Sequence, residues 1–225
     1  MKSLPTRLSG RKAQSGFTLV EIAIVLVIIG LLLGGVLKGQ ELIENGRVKN
    51  AANDLNGISA AYNSYLDRYR KLPGDDGPAL TLNGRGGSWT GMAAGNNTGV
   101  LDINAASTFS GGGESDEFFR HLRASGFITG NPADVGANAV PINAWGGRLG
   151  VTNAVNIQGR PAARPLVCLG NVPGKAAAAL DVQLDDGRPD NGTLRATLGA
   201  NNVNPGAAAA VYSEDQSYTI CRDLG

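Results

Sequence analysis

The residue with the clearest chemical signal is a glutamate inside an apolar segment near the N-terminus. Glu21 is followed by sixteen residues, Ile22 to Leu37, that include no charge and no proline. Together with residues 17–20, this segment is about long enough to cross a ~30 Å hydrocarbon layer as a helix. A carboxylate that faces lipid there costs about 2.5–3.5 kcal/mol. Glu21 therefore indicates a functional group that needs a partner, since a simple membrane anchor has no use for it.

A second set of oxygen ligands lies in an acidic turn towards the C-terminus. Asp185, Asp186 and Asp190 belong to a glycine-containing turn at 185–192, and Asp181 precedes it by one helical turn. Carboxylate and carbonyl oxygens in such a turn can surround a hard cation such as calcium. The string does not match the EF-hand pattern with its distal glutamate. Calcium held by these four aspartates is one expectation, and a turn of solvated acids at the end of a helix is the alternative.

Catalytic chemistry has little support in the residue types. The one histidine, His121, lies in a short predicted helix, where a packing or polar-face position accounts for it. The sequence contains no Gly-x-Ser-x-Gly motif, no phosphate-binding Walker loop and no zinc-ligand spacing. We therefore predict that the protein is not an enzyme.

The apolar segment is expected to continue into a longer helix. Apolar or small residues recur in steps of three and four from Val48 to Leu72, which is typical of an amphipathic helix. Pro73 then ends the helix, because proline disfavours helical conformation in the residue before it. We predict one helix over residues 17–72. Its first half must pack against lipid or other subunits, and its second half against the remainder of the chain.

A distinctive motif joins a basic leader to the apolar segment. The sequence GFTLVE at residues 16–21 ends the leader with glycine and places phenylalanine next, with glutamate four residues later. This motif resembles the processing site of type IV pilins and type II secretion pseudopilins, in which a membrane peptidase cuts after the glycine and methylates the new N-terminal phenylalanine. The resemblance implies cleavage between Gly16 and Phe17 and a mature chain of residues 17–225.

Glu21 gains a partner if this processing occurs. Cleavage gives Phe17 a charged amine, and the Glu21 carboxylate of a neighbouring subunit could pair with it and set the register of assembly. The alternative is a carboxylic acid that stays protonated in the bilayer.

The charge of the chain is unevenly distributed. Four of the 20 basic residues and none of the 19 acidic residues precede Gly16, so the mature chain has a formal net charge of −3. A basic leader stays cytoplasmic by the positive-inside rule, which predicts export of everything after Leu37. The acidity of the mature chain argues against a nucleic-acid partner.

The two cysteines, Cys168 and Cys221, fit one disulfide in an exported protein. The resembled family often joins the C-terminal part of its head in this way. Two unpaired buried thiols are the alternative.

The sequence predicts an α+β fold, with the long helix packed on a small antiparallel sheet. Loop-like residues 74–113 precede a short helix over 115–124, and a second short helix is expected over 175–184. Predicted strands lie on both sides of a Gly146-Gly147 turn within 140–159, at 164–170, and in the tail that includes Cys221. The expected domains are a prepilin leader (1–16), a transmembrane and polymerisation helix (17–38), an amphipathic half-helix (39–72) and a pilin head (73–225).

The leading functional hypothesis is a structural subunit of a type IV pilus or pseudopilus. The resemblance implies three kinds of partner: identical or homologous pilin subunits, a prepilin peptidase and an inner-membrane assembly platform. It also implies a single-pass precursor in the bacterial inner membrane, with its head in the periplasm, that ends in an extracellular or periplasmic filament. A minor pilin that binds a ligand at the filament tip and a membrane-anchored binding module that never polymerises remain alternatives.

Overall fold

The computed structural model describes residues 16–225, so the basic residues of the predicted leader lie outside the described part of the chain. The chain divides into two compact units, the first ending at Ile43 and the second comprising Glu44–Gly225. One helix, α1 (Leu19–Tyr69), belongs to both units. It matches the helix predicted over 17–72, with slightly shorter ends.

In the first unit, α1 leaves its apolar side chains on the surface. Every residue from Phe17 to Leu37 is exposed. By length and composition alone, α1 is the one helix among residues 16–225 that could span a membrane.

In the second unit, the remaining part of α1 forms one side of the core. Its buried residues follow the predicted amphipathic stripe: Val48, Ala51, Ala52, Leu55, Ile58, Ala61, Tyr62 and Tyr65. The ring of Tyr62 stacks on that of Phe118 with centroids 6.2 Å apart. The helix stops at Tyr69, and Arg70 has a φ of 56°. The helix therefore ends three residues before the predicted end at residue 72, although Pro73 follows closely.

A four-stranded antiparallel sheet forms the other side of the core. Its strands are β1 (Leu149–Thr152), β2 (Leu166–Pro173), β3 (Leu194–Leu198) and β4 (Ser217–Asp223), in the spatial order β1-β2-β4-β3. Val167, Leu169 and Val172 of β2 belong to the same apolar cluster as the buried side chains of α1, and so do Tyr218 and Ile220 of β4. Leu166, Cys168 and Cys221 belong to a second, smaller cluster. The predicted α+β fold is confirmed.

The shorter helices surround this core. They are α2 (Ala79–Asn83), α3 (Glu114–Ala124) and α4 (Gly174–Leu184). The last two match the predicted short helices within one residue at each end. The first lies in a segment that the sequence predicts as loop, as do two short 3-10 turns at Gly87–Trp89 and Ala105–Ser107.

Two strand predictions need correction. The segment before the Gly146-Gly147 turn forms only an isolated bridge, Ile142 to Arg148, instead of a strand. The Asn143 side chain accepts hydrogen bonds from the backbone amides of Trp145 and Gly147. These bonds tighten the turn and compete with the backbone hydrogen bonds that would pair two strands there. Strand β3 was not predicted, although it pairs along its whole length with β4.

Candidate functional site

The start of α1 is closed by reciprocal hydrogen bonds between Thr18 and Glu21. The Glu21 amide donates to Thr18 Oγ1 at 3.2 Å. The Thr18 amide and hydroxyl both donate to Glu21 Oε2 at 2.8 Å. This arrangement is a capping box, in which a threonine before the helix and a glutamate three residues later satisfy each other's backbone groups. Neither role predicted for Glu21, pairing with the Phe17 amine or a protonated acid in the bilayer, includes this cap, although the Thr-x-x-Glu spacing is a readable signal for it.

The capping box leaves part of the Glu21 carboxylate available. Both Thr18 donors use Oε2, and Oε1 has no hydrogen-bond partner among residues 16–225. Phe17 is 85% exposed directly beside this carboxylate in the chain. One carboxylate can therefore hold the first turn of α1 and still accept a cation from outside the molecule.

Two glycine pairs interrupt the apolar surface of the first unit. Gly30 and Gly34, and Gly35 and Gly39, each have three residues between them. A side-chain carbon built at any of the four would have nothing within 4 Å. At 3.6 residues per turn the two pairs lie roughly 140° apart around the helix. Such small-xxx-small pairs allow close approach of a second helix in an apolar environment.

The predicted calcium ligands lie at the end of α4, and three of them come together. Oxygen atoms of Asp181, Asp185 and Asp186 lie within 4.8 Å of one another. Asp181 is fully buried, and burial raises its pKa to about 6. Asp190 lies outside this cluster because its carboxylate pairs with Arg188 at 3.2 Å.

The three clustered carboxylates already accept protein hydrogen bonds. Asp181 accepts from the Tyr212 hydroxyl at 2.6 Å, and Asp185 from the Leu194 amide at 2.9 Å. Asp186 accepts from the Asn191 side-chain amide at 2.7 Å. A cation here would share oxygens that also organise the turn.

His121 lies in a buried polar cluster on α3. Its Nδ1 accepts a hydrogen bond from the Gly74 amide at 3.0 Å, so its Nε2 carries the proton and faces the Ala93 carbonyl at 3.1 Å. Burial lowers the pKa of His121 to about 4. Both ring nitrogens are thus used within the fold, in agreement with the packing position expected from the sequence.

Glu117 lies one turn before His121 and is nearly as buried. It forms an ion pair with Arg120, while its Oε2 lies 3.7 Å from His121 Nε2 and has no hydrogen-bond partner in the described chain. Burial raises the pKa of Glu117 to about 7. Sequence analysis did not identify this carboxylate, since a first-turn glutamate ordinarily faces solvent.

A second buried polar group joins α1 to the loop that follows it. Tyr65 donates its hydroxyl hydrogen to Asp76 at 2.6 Å, and Arg85 pairs with the same carboxylate at 2.7 Å. The Arg85 guanidinium lies over the rings of Tyr69 and Trp89, 4.2 and 4.8 Å from their centroids. These contacts anchor the loop through Asp76 Oδ2, while Asp76 Oδ1 is buried and has no hydrogen-bond partner in the described chain.

The disulfide expected from the family resemblance is present between Cys168 and Cys221. The two cysteines face each other directly in the register of β2 and β4, and both are fully buried. The bridge therefore joins the two central strands of the sheet.

Comparison with known proteins agrees with this combination of an exposed apolar helix and a disulfide-bonded α+β head. The model of the prokaryotic N-terminal methylation motif matches residues 11–37. The fimbrial protein EcpC of Eikenella corrodens is 30% identical over 102 residues, which cover 44% of this chain and 67% of that protein. These features define a fimbrial type of structural subunit. The chain belongs to the type IV pilin family.

Proposed function

We propose that the chain is cut between Gly16 and Phe17 and polymerises through the first half of α1 into a type IV pilus or a secretion pseudopilus. The observation that carries the proposal is the Glu21 carboxylate at the start of an exposed apolar helix, with Oε1 free of a hydrogen bond to residues 16–225. A prepilin peptidase would cut and methylate the precursor in the inner membrane, and an assembly platform there would insert it into the filament. The pilin head would lie in the periplasm before assembly.

In the assembled filament, the methylated amine of Phe17 from one subunit would meet Glu21 Oε1 of a neighbour. The amine and the carboxylate are each costly in an apolar environment, and pairing removes most of that cost only in the correct axial register. Because the capping box uses Oε2, helix capping and pairing do not compete for the same lone pairs. Assembly would thus leave the first turn of α1 intact.

The glycine pairs would supply the contacts along the helix. Gly30 with Gly34 offers one close-approach face, and Gly35 with Gly39 offers another. Two different contact faces on one helix allow head-to-tail packing, which extends into a filament when the rotation between successive subunits does not close a ring. Lipid and neighbouring helices would cover the apolar side chains that the isolated chain exposes.

Three substitutions separate pairing from capping. Glu21→Val removes both the charge and the cap. Glu21→Gln removes the charge but keeps a capping box, in which glutamine serves as well as glutamate. Thr18→Val removes the cap and keeps the charge. Each variant is expressed in cells, its processing is checked by intact mass, and filaments sheared from the surface are quantified against the membrane fraction.

We expect filaments from Thr18→Val and none from either Glu21 variant, with membrane insertion retained in all three. Filaments at the wild-type level from Glu21→Gln would overturn the pairing, because they would show that capping alone matters. A wild-type chain that is processed but never leaves the membrane would overturn polymerisation and favour a membrane-anchored binding module. A wild-type chain that begins at Met1 would overturn processing.

Calcium binding at the end of α4 is a second candidate function, favoured by the three carboxylates whose oxygens lie within 4.8 Å. Asp181, Asp185 and Asp186 fit a hard cation by charge and by oxygen chemistry, and Asp185 Oδ1 accepts no hydrogen bond from residues 16–225, since both donors to this carboxylate use Oδ2. Titration of the purified chain with calcium, followed by calorimetry, would test it. Binding that Asp186→Asn weakens and Asp190→Asn leaves unchanged supports the site, and no heat above buffer at millimolar calcium refutes it.

A further inference from the structure

An open groove runs between α1 and the segments that follow α3. Its volume is about 290 Å³. The wall on α1 consists of Asn53, Asp54, Gly57 and Ile58, and the opposite wall consists of Phe127, Ile128, Thr129, Pro141, Ile142 and Leu149. Ile142 is 73% exposed, so its aliphatic side chain is available for contact at the edge of the groove. A side-chain carbon built at Gly57 would have nothing within 4 Å, so glycine keeps the groove open on this side.

Asp54 gives the groove a charge that the protein itself does not neutralise. The residue is half-buried between apolar neighbours, and burial raises its pKa above the ordinary value. No hydrogen bond or ion pair to Asp54 is found within residues 16–225. A partly desolvated carboxylate without a partner is a cost that a cation placed in the groove would remove.

A surface with matching chemistry lies on α4. Its inner face, Ala176, Ala177 and Leu180, is buried in the core. Its outer face presents Lys175, Ala179 and Val182, which lie on one side of the helix at steps of four and three. Val182 is 69% exposed, and no ion pair to Lys175 is found in the described part of the chain. This face therefore combines a free cation with small and aliphatic side chains.

We propose that the groove of one subunit receives the outer face of α4 from a second copy of this chain, with Lys175 paired to Asp54 and Val182 packed on Ile142. The proposal rests on the proposed function, which makes this chain a subunit. Groove and α4 face are different surfaces of the same unit, so the contact is head-to-tail, and repeated copies extend into an open filament when the rotation between neighbours does not close a ring. Charge complementarity selects the occupant, because an apolar surface without a cation would leave Asp54 desolvated and unpaired.

A charge swap in the full-length chain tests the pairing. Asp54→Lys and Lys175→Asp are made singly and together, and sheared filaments are quantified. Each single variant is expected to lower filament yield about tenfold, the effect of about 1.4 kcal/mol per contact, and the double variant to restore it. Asp67→Lys, an exposed charge reversal on α1 outside the groove, is the matched control and should leave the yield unchanged.

Cysteine crosslinking gives a readout that does not require filaments. Ile142→Cys with Val182→Cys is expected to form covalent dimers and higher multimers in the membrane fraction, and neither substitution alone should do so. Single charge reversals that leave the filament yield unchanged would overturn the inference. The proposed function would stand in that case, because the wild-type chain would still form filaments. An effect at Asp54 but none at Lys175 would also overturn it, since another partner would then fill the groove. If wild-type filaments are absent, the proposed function fails and the crosslink alone decides this contact.

Discussion

The stability of the second unit is expected to depend on two buried groups of α3 whose pH dependences have opposite signs. Burial raises the pKa of Glu117 to about 7 and lowers the pKa of His121 to about 4. The contribution of Glu117 is lost as pH rises from 4.5 through 7, because the ionised carboxylate is penalised only in the folded state. The contribution of His121 is lost as pH falls from 6.5 through 4, because protonation would bury a charged imidazole.

The two contributions are similar in size. Each pKa lies about 2.5 pH units from its ordinary value, and one pH unit corresponds to about 1.36 kcal/mol, so each is worth roughly 3 kcal/mol. Between about pH 4.5 and 6.5 they should cancel in the wild-type chain to within about 1 kcal/mol. Glu117→Gln leaves the histidine effect alone and should lose roughly 3 kcal/mol of unfolding free energy as pH falls from 6.5 to 4. His121→Gln should gain a similar amount as pH falls from 7 to 4.5.

Urea unfolding of the full-length chain in detergent, followed by tryptophan fluorescence, measures this directly. Trp89 is a suitable reporter because its ring centroid lies 5.8 Å from that of His121. Glu214→Gln changes an exposed glutamate and is the control, whose profile should follow the wild type. Profiles of the two α3 variants that stay parallel to the wild type between pH 4 and 7 would refute the reasoning, since neither group would then titrate differently on folding.

Three further predictions concern stability. Replacing Cys168 and Cys221 by alanine opens a loop with a sequence separation of 53 residues, and should lower the unfolding free energy by roughly 4 kcal/mol, with no further loss on adding reductant. Tyr65→Phe removes a buried hydroxyl bonded to a carboxylate and should cost about 2 kcal/mol in urea unfolding, whereas Tyr69→Phe should cost little. Gly46→Ala places a methyl group where nothing lies within 4 Å and should raise the helix stability by about 1 kcal/mol, measured as a higher midpoint of thermal unfolding.

The long helix could be predicted, and Glu21 could be singled out, because each rests on a repeated or isolated signal. The stripe from Val48 to Tyr65 repeats the helical period over several turns, so errors at single positions do not change the prediction. Glu21 stands out because a carboxylate is rare inside an apolar run of this length. By contrast, β3 has five residues, Leu194–Leu198, in a region rich in glycine and asparagine. A strand this short is stabilised by its pairing with β4 and by burial, neither of which its own sequence contains.

The burial of the charged residues of α3 could not be predicted, because loops rather than a helix or strand pack against them. Asp75 accepts hydrogen bonds from the amides of Thr98 and Gly99 at 2.9 and 2.8 Å. Glu114 accepts from the Asn96 amide at 3.3 Å and from the Asp102 amide at 2.5 Å. Hydrogen bonds to a carboxylate are among the stronger ones in proteins. Asp75 and Glu114 therefore hold in place a segment whose composition indicates only a loop.

The loop that Asp75 and Glu114 hold in place packs over α3. The Ala93 carbonyl, just before the fixed amides, meets His121 Nε2, and the Gly74 amide, just before Asp75, meets Nδ1. Water is thereby excluded from His121, and contacts of Arg120 with the Pro132 carbonyl and of Asp116 with the Gly136 amide bring a second loop onto the part of α3 where Glu117 is buried. The pH dependence of the head is therefore a consequence of loop hydrogen bonding, and Asp75→Asn should weaken it by letting water reach His121.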